Sequence, residues 1–397
     1  MFTEWKLSPF DVFCLGMTIK GAWIYRSAPD PSRLEESLGG ILRRYPLLTG
    51  RYDAARKAVV WDRTPDTEGF LSEVDAPGHK CSEDMYKLVP QYNTDDFKKG
   101  KCPAFHAWYI RLDDGVAVVA QGAHAVMDGC TFYNLIKEWA LLTCSGKTSR
   151  SMTVDQGLLP GTTAFSREET VQKVTEAQWV KLGMKDLLRM VLNGIRYGSK
   201  DRFSIEVSQE QLGRLREETG AGTNAVLCAL AVDMLHKASE KAGKRKCGDY
   251  TLLEVADLRG RACGIGEDFF GNFSQAVVMG RFSPGTPARA IREAAGKALA
   301  PERLDMTVRL SFCVNGYALP YFFFNASSMN TPSLDLIYIN NQLRLKAWDT
   351  DFGCGLPLRV QQAELEDMVK FWQSSQDGPV EIIFTGAAAK LLKKYHG

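Results

Sequence analysis

The sequence predicts a mixed α/β protein that is built as two halves of similar size. At about 150 residues per domain, the 397 residues correspond to two or three domains. The chain is 45% apolar and 24% charged, which is close to the globular average and sufficient for a large core. Strand and helix patterns alternate in both halves, and a stretch rich in Ser, Thr, Gly and Pro separates them at 145–165.

The first half alternates strands with two helices. Asp30-Pro31 begins the first helix, because proline suits the first helical turn, and Tyr45-Pro46 ends it. The second helix follows Asp128-Gly129. The apolar residues on one face are Leu34, Leu38, Ile41, Leu42 and Tyr45 in the first helix, and Phe132, Leu135, Ile136 and Trp139 in the second. Strands are predicted over 13–25, 57–62, 69–74, 104–111 and 115–121.

The second half repeats this mixture. Ser166-x-x-Glu169 resembles a capping box and predicts a long helical stretch to about Gly194, and Ser208-x-x-Gln211 caps the next helix. Asp377-Gly378 favours a type I′ hairpin turn. Further helices are predicted over 224–242, 287–299 and up to Tyr395, and strands over 203–207, 250–257, 275–283, 322–324, 334–339, 358–360 and 380–384. We therefore expect an N-terminal domain over 1–165, a helical crossover segment over 166–200 and a C-terminal domain over 201–397.

Charge and cysteine content exclude several classes of function. The 49 Lys and Arg residues nearly balance the 47 Asp and Glu residues, so the chain lacks the overall field of a nucleic-acid binder. No apolar run approaches the ~20 residues of a membrane span, and the first residues lack a signal-peptide pattern, so we expect a cytoplasmic protein. No two of the ten cysteines lie within four residues of each other, and the sequence predicts no metal site.

His124 stands out among the five histidines because of its position. A predicted strand ends just before it, and a predicted helix begins just after it, at Asp128-Gly129. A side chain at the end of a buried strand is held rigidly and can face a cleft. Asp128 also suits the first turn of a helix, where the helix dipole favours an anion. Read alone, the string is also compatible with a turn histidine and a helix-capping aspartate.

Two further strings lie far along the chain. The first, Asp351-Phe352-Gly353-Cys354-Gly355, contains an Asp-Phe-Gly that is also found in protein kinases. The kinase interpretation fails, because there is no His-Arg-Asp loop and no Gly-rich loop with a following strand lysine. The second is Asp257-Leu258-Arg259-Gly260-Arg261, with Gly271-Asn272 downstream. Read alone, the first string is a Gly-rich turn and the second is a strand end with two solvated arginines.

Together the three strings resemble the BAHD acyltransferase family, within the chloramphenicol-acetyltransferase-like superfamily. His124, Asp128 and Gly129 match the family's His-x-x-x-Asp-Gly string. Asp351, Phe352, Gly353 and Gly355 match its Asp-Phe-Gly-Trp-Gly string, and Asp257, Arg259, Arg261, Gly271 and Asn272 match its Asx-x-Arg-x-Arg segment with a downstream Gly-Asn. Leu7-Ser8-x-x-Asp11 and Tyr45-Pro46-Leu47 resemble smaller family strings. The resemblance covers residues 7–385 in the family's order.

Two positions depart from related patterns. Cys354 stands where the family usually has Trp, and this change puts the local packing in doubt more than the chemistry. Ala123 stands where peptide-forming condensation domains and wax-ester-type enzymes usually carry a second His, and this difference favours the BAHD family.

The resemblance implies two similar chloramphenicol-acetyltransferase-like domains, each a mixed sheet with helices, and an active-site channel between them with His124 at its middle. Acyl-CoA enters such channels as a co-substrate from one face and the acceptor from the other, and no cofactor is bound permanently. In similar proteins Asp128 supports the turn by pairing with an arginine, for which Arg259 and Arg261 are both candidates. Gly129 and the residues Asp351, Gly353 and Gly355 are expected to be structural supports.

Direct acyl transfer from a thioester to an alcohol requires only one histidine as general base. An alcohol is a poor nucleophile at neutral pH, and an imidazole can take its proton as it attacks a thioester and then return that proton to the leaving thiolate. No Gly-x-Ser-x-Gly elbow occurs, so a serine nucleophile has no motif. The tetrahedral oxyanion needs a donor. Candidates for that donor or for contact with CoA are Asn272, Thr223, Ser327 and Ser328.

The acceptor cannot be identified from the sequence. The aromatic residues Phe105, Trp108, Tyr109 and 321–324 are candidates for an apolar pocket and, more commonly for such strands, for the core. The expected function is transfer of an acyl group from acyl-CoA to a hydroxyl of a small molecule in natural product biosynthesis, by a monomer. The alternatives are an amide-forming or carrier-protein-dependent enzyme, and a non-catalytic binding module of the same fold. The presence of both His124 and Asp128 argues against the last of these.

Overall fold

A five-stranded mixed sheet dominates the first half of the protein, which a computed structural model describes over residues 2–148, 151–243, 248–322, 336–362 and 367–395. Its strands are β2 Thr18–Tyr25, β5 Leu71–Asp75, β6 Phe105–Leu112, β7 Gly115–Ala123 and β14 Arg359–Gln362. They lie in the order β14-β2-β7-β6-β5, and only β5 and β6 are parallel. The helices α2 Pro31–Arg44 and α4 Gly129–Ser145 pack against each other and bury their predicted apolar faces.

A six-stranded mixed sheet organises the second half. Its strands are β9 Arg202–Val207, β10 Tyr250–Asp257, β11 Ser274–Phe282, β13 Leu336–Asn341, β15 Val369–Trp372 and β16 Val380–Thr385. They lie in the order β11-β10-β13-β15-β16-β9, and β13 is parallel to both of its neighbours. The helices α8 Thr223–Lys241, α9 Ala288–Ala298 and α11 Gly386–Tyr395 pack beside this sheet. Both sheets agree with the mixed architecture that the sequence predicts.

Shorter elements complete the described part of the chain. They are β1 Phe2–Lys6, α1 Pro9–Phe13, β3 Arg51–Asp53, β4 Ala58–Asp62, α3 Thr94–Lys98, α5 Arg167–Glu176, β8 Val180–Lys181, α6 Met184–Tyr197, α7 Gln209–Thr219, α10 Pro301–Gly316 and β12 Tyr321–Phe322. None of the described helices is both long and apolar enough to cross a bilayer.

Two predicted elements are broken in the structure. The strand predicted over 13–25 begins only at Thr18, because Ser8 and Asp11 form a capping box that starts α1 with Pro9 in its first turn. The helix predicted from Ser166 to about Gly194 does begin at the predicted capping box. It ends at Glu176, where Gln178 takes a left-handed backbone with φ 56°, and α6 starts separately.

Two other differences lie in the second half. The predicted type I′ turn at Asp377-Gly378 is wrong, since neither residue has the positive φ that this turn requires and the connection runs from 373 to 379. Helix α10, which is absent from the elements predicted above, begins with Pro301 in its first turn and buries Leu304, Val308 and Phe312. Of the strand predicted over 322–324, only Phe322 lies within the described residues.

Strand β14 connects the two halves. It belongs to the second half by sequence, yet it pairs antiparallel with β2 of the first sheet. Trp23 Nε1 donates a hydrogen bond to the Ala347 carbonyl at 2.8 Å, and the Tyr25 hydroxyl donates one to the Thr350 carbonyl at 2.9 Å. Residues 359–362 therefore complete the first sheet, residues 347–350 pack against β2, and a division of the chain at residue 201 stays a prediction.

Candidate active site

His124 lies in the turn between β7, which ends at Ala123, and α4, which begins at Gly129. Its backbone N–H donates a hydrogen bond to the Met17 carbonyl at 3.0 Å, just before β2. The side chain is half-buried. Its Nδ1 atom is buried and has no hydrogen-bond partner within the described residues, so Nε2 is the ring nitrogen available to a substrate.

Asp128 caps the N-terminus of α4 and is only 1% exposed. Its Oδ1 accepts the Thr131 N–H at 3.0 Å, and its Oδ2 accepts the Phe273 N–H at 2.9 Å. Arg259 donates to both carboxylate oxygens, at 2.9 and 3.1 Å. Burial raises the pKa of Asp128, but the charge of Arg259 and these hydrogen bonds outweigh it and hold the pKa below its usual range.

Arg259, rather than Arg261, is thus the partner of Asp128. The remaining donors of Arg259 are also used: Nε donates to the Phe269 carbonyl at 2.8 Å, and Nη2 donates to the Gly271 carbonyl at 2.6 Å. The guanidinium therefore ties the turn of the first half to residues 269–273 of the second half. Since Nδ1 of His124 has no partner in the described residues, the two side chains do not form a Ser-His-Asp type of relay.

Asn272 holds the other side of the His124 turn. Its Nδ2 donates to the His124 carbonyl at 2.8 Å and to Asp11 Oδ1 at 2.7 Å. Both amide hydrogens are therefore in use, and the expectation that Asn272 donates to an oxyanion does not fit this geometry. Asp11 also accepts from the Ser8 N–H, and burial raises its pKa to about 6 against these hydrogen bonds. Asn272 is a positioning residue in this arrangement.

A cavity of about 500 Å³ has His124 in its wall and is lined by both halves. The first half contributes Thr18, Lys20, His124, Cys130, Tyr133 and Lys137. The second half contributes a mostly polar wall that includes Asn224, Glu254, Arg261, Asn340 and Arg344. This arrangement agrees with the predicted channel between two domains.

Several predicted residues lie elsewhere. Thr223 starts α8 but does not line the cavity, whereas its neighbour Asn224 does. Phe105 and Tyr109 of β6 are buried in the main core, and Trp108 of the same strand packs in a separate core cluster. The aromatic residues of β6 therefore do not form an acceptor pocket. Tyr321 lies in β12. Ser327 and Ser328 lie outside the described residues.

The residues of the Asp351 turn lie outside the cavity lining. Asp351 Oδ1 accepts the N–H groups of Gly353, Cys354 and Gly355 at 2.7 to 2.9 Å. Gly353 and Gly355 have φ values of 92° and 91°, which only glycine adopts readily. Phe352 packs edge-on against Trp139 with ring centroids 4.9 Å apart. This string therefore builds a packed turn against α4.

Cys130 lies in the first turn of α4 and lines the same cavity as His124. Burial, with a further contribution from nearby Asp128 and Asp257, raises its pKa to about 12. The thiol is therefore protonated at neutral pH and is a weak nucleophile.

Comparisons with known proteins identify relatives and structural neighbours. No protein-family model matches the chain. It is 22% identical over 382 residues to phenolic glucoside malonyltransferase 2 of Arabidopsis thaliana, covering 88% of this chain and 81% of the relative. It is 24% identical over 269 residues to tryptamine hydroxycinnamoyltransferase 2 of Oryza sativa subsp. japonica, covering 63% of this chain and 58% of the relative.

Solved structures share the fold over nearly the whole chain. F. graminearum TRI101 in complex with coenzyme A and T-2 mycotoxin has a TM-score of 0.73 at 13% identity, covering 99% of this chain and 97% of that chain. Vinorine synthase has a TM-score of 0.66 at 16% identity, covering 98% and 91%. These neighbours show that the chain has the chloramphenicol-acetyltransferase-like fold, and both curated relatives are named as acyltransferases. The curated relatives confirm the resemblance to BAHD acyltransferases that the motifs predict.

Sequence reasoning missed several residues of the site. Asp11 belongs to a Ser-x-x-Asp capping box. This pattern predicts the start of a helix, but it does not predict the hydrogen bond between Asp11 and Asn272. Glu254 and Asn224 carry no motif at all, and they face the cavity only because β10 and α8 border it.

Proposed function

We propose that this protein transfers an acyl group from acyl-CoA to a hydroxyl of a small-molecule acceptor, with His124 as the general base in a ternary complex. One observation carries the proposal. His124 lies in the wall of a cavity lined by both halves, and its turn is anchored by Met17, Asn272 and the buried Asp128–Arg259 pair. A base held this rigidly beside a cavity is suited to proton transfer within a bound complex.

The proposed reaction has two proton transfers. The acceptor hydroxyl binds to Nε2 of His124, and its oxygen attacks the thioester carbonyl while Nε2 takes the hydroxyl proton. The tetrahedral intermediate then breaks its carbon–sulfur bond, and the imidazolium returns the proton to the CoA sulfur. The products are the ester and free CoA. Asp128 takes no proton in this scheme and keeps the turn in place through Arg259.

Cationic side chains in the cavity wall suit the phosphates of CoA. Lys20 and Lys137 of the first half line the cavity. TRI101 has been solved with coenzyme A, and this supports CoA as the co-substrate here. The oxyanion donor stays a prediction at Ser327 and Ser328, and Thr223 stays a candidate neighbour of CoA. We also propose that the enzyme acts as a monomer in the cytoplasm.

Amide formation is a second candidate, because one curated relative is named for tryptamine, an amine. The same geometry at Nε2 serves an amine nucleophile. Product analysis with matched hydroxyl and amine acceptors separates the two reactions.

Kinetics and mass spectrometry test the proposal. Initial rates with acetyl-CoA or malonyl-CoA at several fixed acceptor concentrations should give intersecting reciprocal plots, whereas a covalent intermediate gives parallel lines. Enzyme incubated with acyl-CoA alone should show only slow hydrolysis and no acyl adduct in its intact mass. A stoichiometric adduct that disappears on addition of acceptor would refute direct transfer and point to a cysteine such as Cys130.

A further inference from the structure

Glu254 is a buried carboxylate in the wall of the His124 cavity that the proposed reaction does not use. It lies in the interior of β10 and is only 9% exposed. Its Oε2 accepts a hydrogen bond from Asn224 Nδ2 at 2.9 Å. Within the described residues its Oε1 has no hydrogen-bond partner and no basic side chain lies within ion-pair distance of the carboxylate.

A directed chain of hydrogen bonds ends at this carboxylate. The Leu343 backbone N–H donates to Asn341 Oδ1 at 3.1 Å, and Asn341 Nδ2 donates to Asn224 Oδ1 at 2.7 Å. Asn224 Nδ2 then donates to Glu254. Because a backbone N–H can only donate, it fixes the orientation of each amide in turn. The chain therefore presents Glu254 as an acceptor of hydrogen bonds, with one oxygen left for a ligand.

The electrostatic surroundings support this role. Arg261 and Arg344 also line the cavity and act on Glu254 through space, which favours its charged form. Burial acts in the opposite direction and is the larger effect, so the pKa of Glu254 is raised. The oxygen of Glu254 that has no protein donor within the described residues is open to the cavity, so a ligand that supplies a donor there binds selectively.

We propose that Glu254 determines acceptor specificity by accepting a hydrogen bond from a second donor group of the acceptor, separate from the group that is acylated. The inference rests on the proposed function. The acceptor is then a small polar molecule with at least two hydrogen-bond donor groups, such as a diol or an amino alcohol. A flat aromatic alcohol with a single donor group is a poorer acceptor. The second donor can be a hydroxyl or an ammonium, and the test distinguishes them.

Three probe acceptors that share one acylatable hydroxyl test this inference. They are 2-phenylethanol, 1-phenylethane-1,2-diol and 2-amino-2-phenylethanol, which carry no second donor, a second hydroxyl and an amine, respectively. The variant is Glu254→Gln, which preserves shape. Since Asn224 must still donate, the glutamine oxygen takes that bond and the glutamine NH₂ faces the cavity, so the variant offers a donor in place of an acceptor. The matched control is Glu267→Gln, because Glu267 also lines the cavity but is exposed.

The wild type should acylate at least one two-donor probe with a kcat/KM about 10- to 100-fold above that for 2-phenylethanol. Glu254→Gln should reduce this ratio below about 3-fold through loss of kcat/KM for the two-donor probe, and Glu267→Gln should retain the ratio. The probe that loses most in Glu254→Gln identifies the second donor as hydroxyl or ammonium. A wild type without preference, or a Glu254→Gln variant that keeps it, overturns the inference.

Binding separates this inference from the proposed function. The dissociation constants of the three probes for the wild type and for Glu254→Gln can be measured by NMR titration in the absence of acyl-CoA. If no probe is acylated but the two-donor probes bind more tightly and lose this advantage in Glu254→Gln, the proposed function fails and the inference stands. If acylation proceeds with no difference between wild type and variant, the inference fails and the proposed function stands.

Discussion

The Asp128 turn and the Asp351 turn use the same local chemistry in two different settings. In each, an aspartate carboxylate accepts backbone N–H groups of the residues that follow it, with a glycine close behind. Asp128 is buried, paired with Arg259 and part of the cavity wall. Asp351 is half-exposed, has no ion pair within the described residues and packs its turn against α4. Similar strings therefore serve either a site or a scaffold, and the long-range partner decides which.

Removal of His124 should have the largest effect on activity and should separate the site from the scaffold most clearly. His124→Ala is expected to lower kcat by roughly 10²- to 10⁴-fold, the usual contribution of a general base. Its melting temperature should stay close to that of the wild type, because the turn is held by backbone and Asp128 contacts. His106→Ala is the control, since His106 is also half-buried but lies outside the cavity lining. Near-normal turnover of His124→Ala would exclude the proposed mechanism.

Loss of the Asp128 carboxylate should damage both stability and activity. Asp128→Ala leaves the buried Arg259 with only the exposed Asp257 as its anionic partner at 2.8 Å within the described residues. Breaking a fully buried pair costs about 3–5 kcal/mol in the free energy of unfolding, so we expect a loss at or below the lower end of that range. Asp128→Asn should lose less stability, because its amide oxygen still caps α4. Urea unfolding of the three proteins gives these values. An Asp128→Ala variant with wild-type stability and turnover would show that Asp128 is only a helix cap.

The same pair predicts a dependence of stability on pH. The pKa of Asp128 is lower in the folded protein than in the unfolded chain, so its contribution is present above the unfolded pKa of about 3.9 and is lost as pH falls through the folded value. Wild type should therefore lose more stability than Asp128→Asn between pH 5 and the acid transition. Equal acid sensitivity of the two proteins, measured by urea unfolding, would contradict the assignment.

Loss of the Asp351 carboxylate should have a smaller effect, confined to stability. Asp351→Ala removes the acceptor for three backbone N–H groups at a half-exposed turn, which should cost about 1–2 kcal/mol in the free energy of unfolding. The kcat per folded molecule should match the wild type. A kcat loss comparable to that of Asp128→Ala would show that the two turns are functionally equivalent.

Substitution of Gly353 should have the smallest effect. Gly353→Ala places a Cβ on a backbone with φ 92°, and the strain should cost about 1 kcal/mol or slightly more, although the added atom meets only the Cys144 backbone at 3.7 Å. Differential scanning calorimetry should show a small decrease in melting temperature with unchanged kcat. A decrease as large as that of Asp128→Ala would mean that the turn carries more of the stability than its contacts indicate.

Much of the site was predictable because its signals are local. A strand, a turn and a helix cap within a few residues identified His124 and Asp128, and their family resemblance supplied the arginine pairing. The choice of Arg259 over Arg261 could not be made from the sequence, because both follow the same strand and only the folded chain shows which one reaches Asp128. The contacts of Asn272 could not be predicted for the same reason, since its partners Asp11 and His124 are distant in sequence.

In the fold, too, local features could be predicted from the sequence and long-range pairings could not. The helical faces of α2 and α4 were predicted correctly from periodicity, because an amphipathic helix repeats its pattern within a short window. The membership of β14 in the first sheet was not predicted, because no local signal states which distant strand a strand will join.

The pairing of β14 with β2 also sets an order of events during synthesis. β2 leaves the ribosome early, but the strand that covers its outer edge is made only near the end of the chain. Until residues 359–362 emerge, one row of backbone N–H and C=O groups on β2 has no strand to pair with, and such an edge can recruit a foreign strand. The first half therefore cannot finish folding as a unit while translation continues, and a fragment that stops near residue 200 should self-associate unless the missing strand is supplied in trans.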